Sequence, residues 1–232
     1  MPTITLKVST TSKVLGTVAV LLVLGSVISK LLVVELELTS LRLPAKLFDL
    51  DAERNLPTSY SVLLLLTSAS LLTCITVLDR RQDSPFWSSW AVLALGFFAM
   101  AFDEGFRFHE RLIDPVRVWL DLDTFGILYF AWVVPGLLLV VVCGLYFSRF
   151  LLWLERPMRS KVLLAAFLYV GGAIGVELLG GYHAELHGIE NWTYRLIATA
   201  EESLEMLGLI VFIRALIDYC SLHFKAIRFE FR

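Results

Sequence analysis

Long stretches without a single charged side chain constrain this chain more than anything else in it. Residues 14–29, 55–78, 84–102, 124–148 and 162–176 contain no Asp, Glu, Lys or Arg. A helix needs roughly 20 mostly apolar residues to cross the hydrocarbon of a bilayer. The second, third and fourth stretches meet or nearly meet that length unaided. The first meets it by running to about residue 34 with Lys30 snorkelling. The fifth needs Glu177, and a further candidate around 196–217 carries Glu201, Glu202, Glu205 and Arg214. Composition agrees: 57% of the residues are hydrophobic and only 18% charged, against roughly 25% charged in a soluble domain. A disordered chain and a soluble acidic or basic tail protein are excluded.

The expected fold is therefore all-α: a single integral membrane domain over residues 1–232, a bundle of six transmembrane helices at about 14–34, 56–78, 85–110, 124–148, 161–182 and 196–218. Lys7 and Lys13 ahead of the first apolar run also fit a signal peptide, but the run is long and no small-x-small cleavage site follows. Asn55-Leu-Pro57 reads as a helix start. Pro135 falls in mid-span and is expected to kink the fourth helix. Gly171, Gly172 and Gly175 are expected to let the fifth helix approach a neighbour, and Gly180-Gly181 to loosen or end it.

If the six helices alternate in direction, the side holding the termini carries 11 Lys and Arg and the other side 8. That bias places both termini in the cytoplasm. The opposite end collects 17 of the acidic residues. The net charge is −2 with no basic patch, so nucleic acid is not an expected partner. The bilayer is, and a membrane-protein partner or a second copy of the chain remains open. Cys74, Cys143 and Cys220 form no CxxC pair, which argues against a disulfide framework or a cysteine zinc site.

Alternation also brings three acidic segments to one end. The third helix ends in Asp103, Glu104, Arg107, His109 and Glu110; the fifth in Glu177, His183 and Glu185; the sixth begins with Glu201, Glu202 and Glu205. Ionisable groups at membrane depth are costly unless paired, and by default they mark function. Glu201, Glu202 and Glu205 fall in one helical sector. Asp103, Arg107 and Glu110 share a face, an i,i+4 and i,i+3 ladder that is equally an ordinary ion-pair arrangement. His109 points away from Asp103 and Glu104 if its helix persists, and His183 reaches Glu177 only if the glycine pair breaks the turn. His183 and His187 otherwise read as loop residues. So many carboxylates cannot all stay ionised together: either some hold protons, or a cation separates them. Carboxylates alone suit calcium or magnesium. With His109 or His183 they suit iron, manganese or zinc.

The expected function is a membrane protein with an outward-facing, carboxylate-rich cavity that binds a cation, a divalent metal foremost. Its ligand candidates are Glu177, Glu201, Glu202 and Glu205, then Asp103, Glu104, His109 and His183, with Arg107 and Glu110 as ion-pair neighbours. A metal-dependent enzyme acting on a lipid-like substrate is one form of this, although no nucleophile or base is identifiable. A proton-coupled or ion transporter using the same acids, and a structural subunit of a membrane complex, are the alternatives. The turn Asp49-x-Asp51-x-Glu53-x-Asn55 spaces its acids like a calcium loop but lacks the sixth-position glycine and the distal glutamate. Trp87, Trp90, Trp132 and Trp192 read as interface or packing aromatics.

Several of these segments taken together resemble a family of uncharacterised bacterial multi-pass membrane proteins. They are Leu47 to Glu53 with Pro57 and Tyr60-Ser61, Asp103-Glu104 to His109-Glu110, Glu177 with Gly180-Gly181, and Glu201-Glu202-Ser-x-Glu205-Met206-x-Gly208. The resemblance implies a bacterial inner membrane and carries no activity. The helix-borne multi-histidine sites of ceramidase-like zinc hydrolases and of diheme bundles are not matched by His109, His183, His187 and His223.

Overall fold

The computed structural model describes residues 8–34, 39–52, 54–121 and 124–224. Among the described residues the chain is all-helical, without strands. Its helices are α1 (Val8–Val34), α2 (Arg42–Phe48), α3 (Leu56–Arg81), α4 (Trp87–Phe106), α5 (Ile113–Leu120), α6 (Val133–Trp153), α7 (Arg156–Val170), α8 (Glu177–His187) and α9 (Trp192–His223). A π-helical segment, Gly171–Val176, joins α7 to α8 into one rod.

Five segments are long and apolar enough to cross a membrane: Ser9–Val33, Leu56–Arg81, Trp87–Phe106, Val133–Trp153 and Arg156–His187. The expectation of six apolar spans is thus met for five. The remaining long helix, α9, is the longest at 32 residues and is not among these five; it carries Arg195, Glu201, Glu202, Glu205, Arg214 and Asp218. It tolerates those groups because it is the most enclosed helix. Met206, Leu209, Ile213, Ala215 and Leu216 are buried against α1, α3 and α7, so much of its surface meets protein. The helices around it present apolar side chains outward, as Leu138, Leu145 and Leu152 do on α6. Such a surface suits acyl chains and not water.

Helix ends follow local chemistry. Asn55 caps α3 by accepting from the Thr58 N–H at 3.1 Å, with Pro57 in the first turn, where an N–H has no partner to lose. Asn191 caps α9 by accepting from the Tyr194 N–H at 2.9 Å. The acid-rich turn before α3 is closed by its own chain. The Asn55 amide donates to the carbonyls of Asp49 and Ala52 at 2.6 Å each, and Lys30 pairs with Asp49 at 2.6 Å. Asp49 and Asn55 are therefore committed to a surface turn; Glu53 lies outside the described residues.

Three local expectations are corrected. Pro135 is the third residue of α6, which starts only at Val133, so it sits in the first turn and has no backbone bond to break. Gly180 and Gly181 lie inside an unbroken α8 and are buried, Gly181 against the Ile127 carbonyl and Tyr129. The irregularity comes earlier, in the π segment. Of the three glycines there, only Gly172 makes the close approach: a Cβ on it would stand 2.9 Å from the Glu201 carbonyl oxygen. Gly171 and Gly175 meet nothing within 4 Å. Gly208 on α9 makes the reciprocal contact, 2.8 Å from the Tyr169 nitrogen and 2.9 Å from the Ala165 oxygen for a Cβ. Two glycines, one on each rod, let the backbones of the α7–α8 rod and α9 touch.

Candidate functional site

The close crossing of the α7–α8 rod and α9 fixes the depth of the acids. Gly172 lies against Glu201 and Glu205, and Glu177 follows one turn later as the first residue of α8. A π turn holds more residues than an α turn, so it resets the helical phase of whatever follows. Glu177 thereby faces two partners. The Trp132 indole Nε1 donates to its Oε1 at 2.8 Å, and its carboxyl lies beside that of Glu201 on α9. Two neighbouring carboxyls can hydrogen-bond each other only if one carries a proton, because an ionised carboxylate only accepts.

On the neighbouring helix, α4 ends at Phe106 and not at 110. Arg107 adopts a left-handed conformation (φ 56°) and its N–H returns to the Asp103 carbonyl. The chain folds back, and this brings His109 to Asp103, contrary to the expectation for a continuous helix. The His109 backbone N–H donates to Asp103 Oδ1 at 2.8 Å, and its Nδ1 lies 2.6 Å from Oδ2. Arg107 pairs with Glu110, as the ladder predicted. The His109 ring then packs on Trp132, with centroids 4.7 Å apart. A chain of contacts therefore runs Asp103, His109, Trp132, Glu177, Glu201. Glu205 lies in electrostatic reach of Glu202, Glu104, Glu177 and Asp103, and Tyr169 on α7 is half-buried near the same acids.

His183 is not brought to Glu177. Its Nε2 lies 2.8 Å from Asn191 Oδ1, and its ring stacks on His187 at 4.9 Å. Both histidines are helical, on α8, where they belong to the turn into α9. Among the described residues, no three His, Cys, Asp or Glu side chains stand where they could hold a metal ion. Sequence reasoning missed Trp132, read as a packing aromatic, and Tyr169.

His109 lies outside the spans, and its electrostatics can be argued directly. Burial of the ring works against its charged form. The hydrogen bond and negative charge of Asp103, with Glu110 and Glu104 beyond, outweigh it and raise the pKa above the ordinary 6.5. A folded-state pKa above the unfolded one stabilises the fold fully below the unfolded value, and that contribution is lost as pH rises through the folded value. The melting-temperature advantage of wild type over His109→Gln should therefore shrink as pH rises above about 6.5, the ordinary histidine value. An advantage that grows over that range would contradict the pairing.

The opposite end of the molecule has separate polar groups. Tyr219 Oη lies 3.4 Å from both Asp79 carboxylate oxygens, and Lys161 pairs with Asp218 at 2.5 Å. Between the two ends lie the buried side chains of Leu64, Leu65, Leu72, Ile75, Ile213 and Leu216.

No curated protein and no solved structure matches the chain. A family does match, over residues 14–220, which include every helix that builds the site. It is a family without an assigned activity, as the sequence resemblance led us to expect. The chain belongs to the family described as Domain of unknown function (DUF8692).

Proposed function

We propose that this is an integral membrane protein that binds a cation, a divalent metal foremost, at one end of its bundle, in competition with protons. Glu177, Glu201, Glu202 and Glu205 would have to close around the cation, with Asp103 and Glu104 beside them, since as they stand no three of them could share one ion. The observation that carries this reading is the placement of Glu177 beside Glu201, with Glu205 in reach of Glu202, Glu104 and Asp103. Acids gathered in this way must be neutralised by something positive, a proton or a cation. An all-oxygen donor set suits magnesium, calcium or manganese. His109 at the rim widens the choice to iron or zinc.

In this reading α9 is the sixth crossing. At 1.5 Å per residue its 32 residues span about 48 Å, more than the hydrocarbon thickness. The Lys and Arg bias then puts both termini in the cytoplasm and the acids outside. The apolar layers of α3 and α9 between the acids and Asp79 favour a one-sided site over a transport path. A proton relay needs polar groups in sequence, and in these layers Ser68 stands among apolar side chains.

The test is thermal unfolding in mild detergent with added magnesium, calcium, manganese, iron(II) or zinc, at about pH 7.5 and about pH 5. A ligand at 100 times its Kd stabilises by about 2.7 kcal/mol. At least one cation should raise the melting temperature at the higher pH, and its effect should fade at the lower. No shift with any cation at either pH would remove this function.

A further inference from the structure

The segment after α4 returns to the bundle through α5, and α5 presents a face that nothing among the described residues covers. On it Trp119 is 75% exposed and Leu112 43%. Positions 112, 115, 116 and 119 have the i, i+3, i+4, i+7 spacing of one helical face, and they hold Leu112, Pro115, Val116 and Trp119. Arg111 and Asp114 flank that face and are exposed. The apolar surface is continuous with a membrane span: the exposed rings of Phe102 and Phe106 on α4 stack at 6.1 Å, Phe106 meets Phe108 at 5.9 Å, and the Arg111 guanidinium lies over Phe108 at 5.0 Å.

We propose that α5 is an in-plane membrane anchor, lying in the headgroup layer of the bilayer with Leu112, Pro115 and Trp119 at the acyl boundary. A short helix with an apolar face, an exposed tryptophan and flanking charges is the form such anchors take. A lipid surface is the occupant that fits, because the face continues the exposed aromatic strip of Phe102, Phe106 and Phe108. The Arg111 guanidinium lies over Phe108, at the edge of that strip.

The anchor is tied to the site at both ends. His109 precedes it, held by Asp103. At its far end Arg117 donates through Nε to the Tyr129 carbonyl at 3.1 Å and lies over the Phe125 and Tyr129 rings at 4.9 and 4.6 Å. Tyr129 packs against Gly181, and Trp132 follows three residues later with its hydrogen bond to Glu177. The bilayer surface thereby positions the Trp132 donor. The proposal does not depend on what the acids bind.

The test is nitroxide accessibility in phospholipid vesicles, with Cys74, Cys143 and Cys220 replaced by alanine and single labels introduced through Leu112→Cys, Trp119→Cys or Asp114→Cys. At 112 and 119, collisions with oxygen should exceed those with a water-soluble nickel chelate several-fold; at 114 the order should reverse. Nickel access at all three positions would mean a helix in water. Exclusion of both reagents at 112 and 119 would mean a protein contact. Either result overturns the proposal. A second measurement leaves the cysteines in place: bromine-labelled lipid should quench wild type more than Trp119→Phe, and equal quenching would overturn the assignment equally.

Discussion

Glu201→Gln abolishes the cation-dependent rise in melting temperature and leaves the fold in place. Glutamine has the shape of glutamate, and its amide can donate to Glu177, so the contact between α8 and α9 survives. What it loses is a negative charge and an exchangeable proton. Removing one charged oxygen ligand from a site of this kind should weaken cation binding by at least about 100-fold, which is about 2.7 kcal/mol. Glu155→Gln is the control. Glu155 belongs to the opposite end, 3.9 Å from His223, and its replacement should leave cation binding at the wild-type level. A Glu201→Gln protein that still melts higher with cation would remove Glu201 from the site.

Gly208→Val is the second large effect, and it acts through packing. Even the first carbon of a side chain at 208 would stand 2.8 Å from the Tyr169 nitrogen and 2.9 Å from the Ala165 oxygen. These are backbone atoms and cannot rotate away, so α7 and α9 must separate. Overpacking of this kind costs about 3 kcal/mol. The same separation lifts Gly172 from Glu201, which pulls the Glu177 and Glu201 carboxyls apart. Gly208→Val should therefore lower the melting temperature and weaken cation binding together. Gly175→Ala is the contrast, because a Cβ there meets nothing within 4 Å. Equal behaviour of the two variants in thermal unfolding would contradict the crossing.

The apolar helices were legible in the sequence because lipid punishes charge so consistently that its absence marks a span. The convergence of Asp103, Glu177 and Glu201 at one end was legible too, since alternation of helix direction needs no side-chain detail. Three features were not. The left-handed turn at Arg107 reverses the chain, and helical spacing alone therefore placed His109 on the wrong face. The π segment has a sequence correlate in its run of small residues, Gly171-Gly172-Ala173, but composition cannot tell a bulge from a tight crossing. Trp132 reaches Glu177 across 45 positions, and an indole near a helix start reads the same whether it faces lipid or an acid. Between α4 and α6 the sequence places 107–110 in the third helix, 124–132 in the fourth and 111–123 in neither. An eight-residue helix there is too short to announce itself by periodicity.

The central claim is that cation and proton compete for the same carboxyls. Counting protons tests it most directly: the cation that stabilises the protein is titrated into weakly buffered detergent solution at about pH 6.5, and the protons released are measured against the cation bound. A proton shared by the neighbouring Glu177 and Glu201 carboxyls must leave when a cation takes its place, so about one proton should be released per cation, and Glu201→Gln should release none. Cation bound with no proton released, or no cation bound at all, would contradict the account.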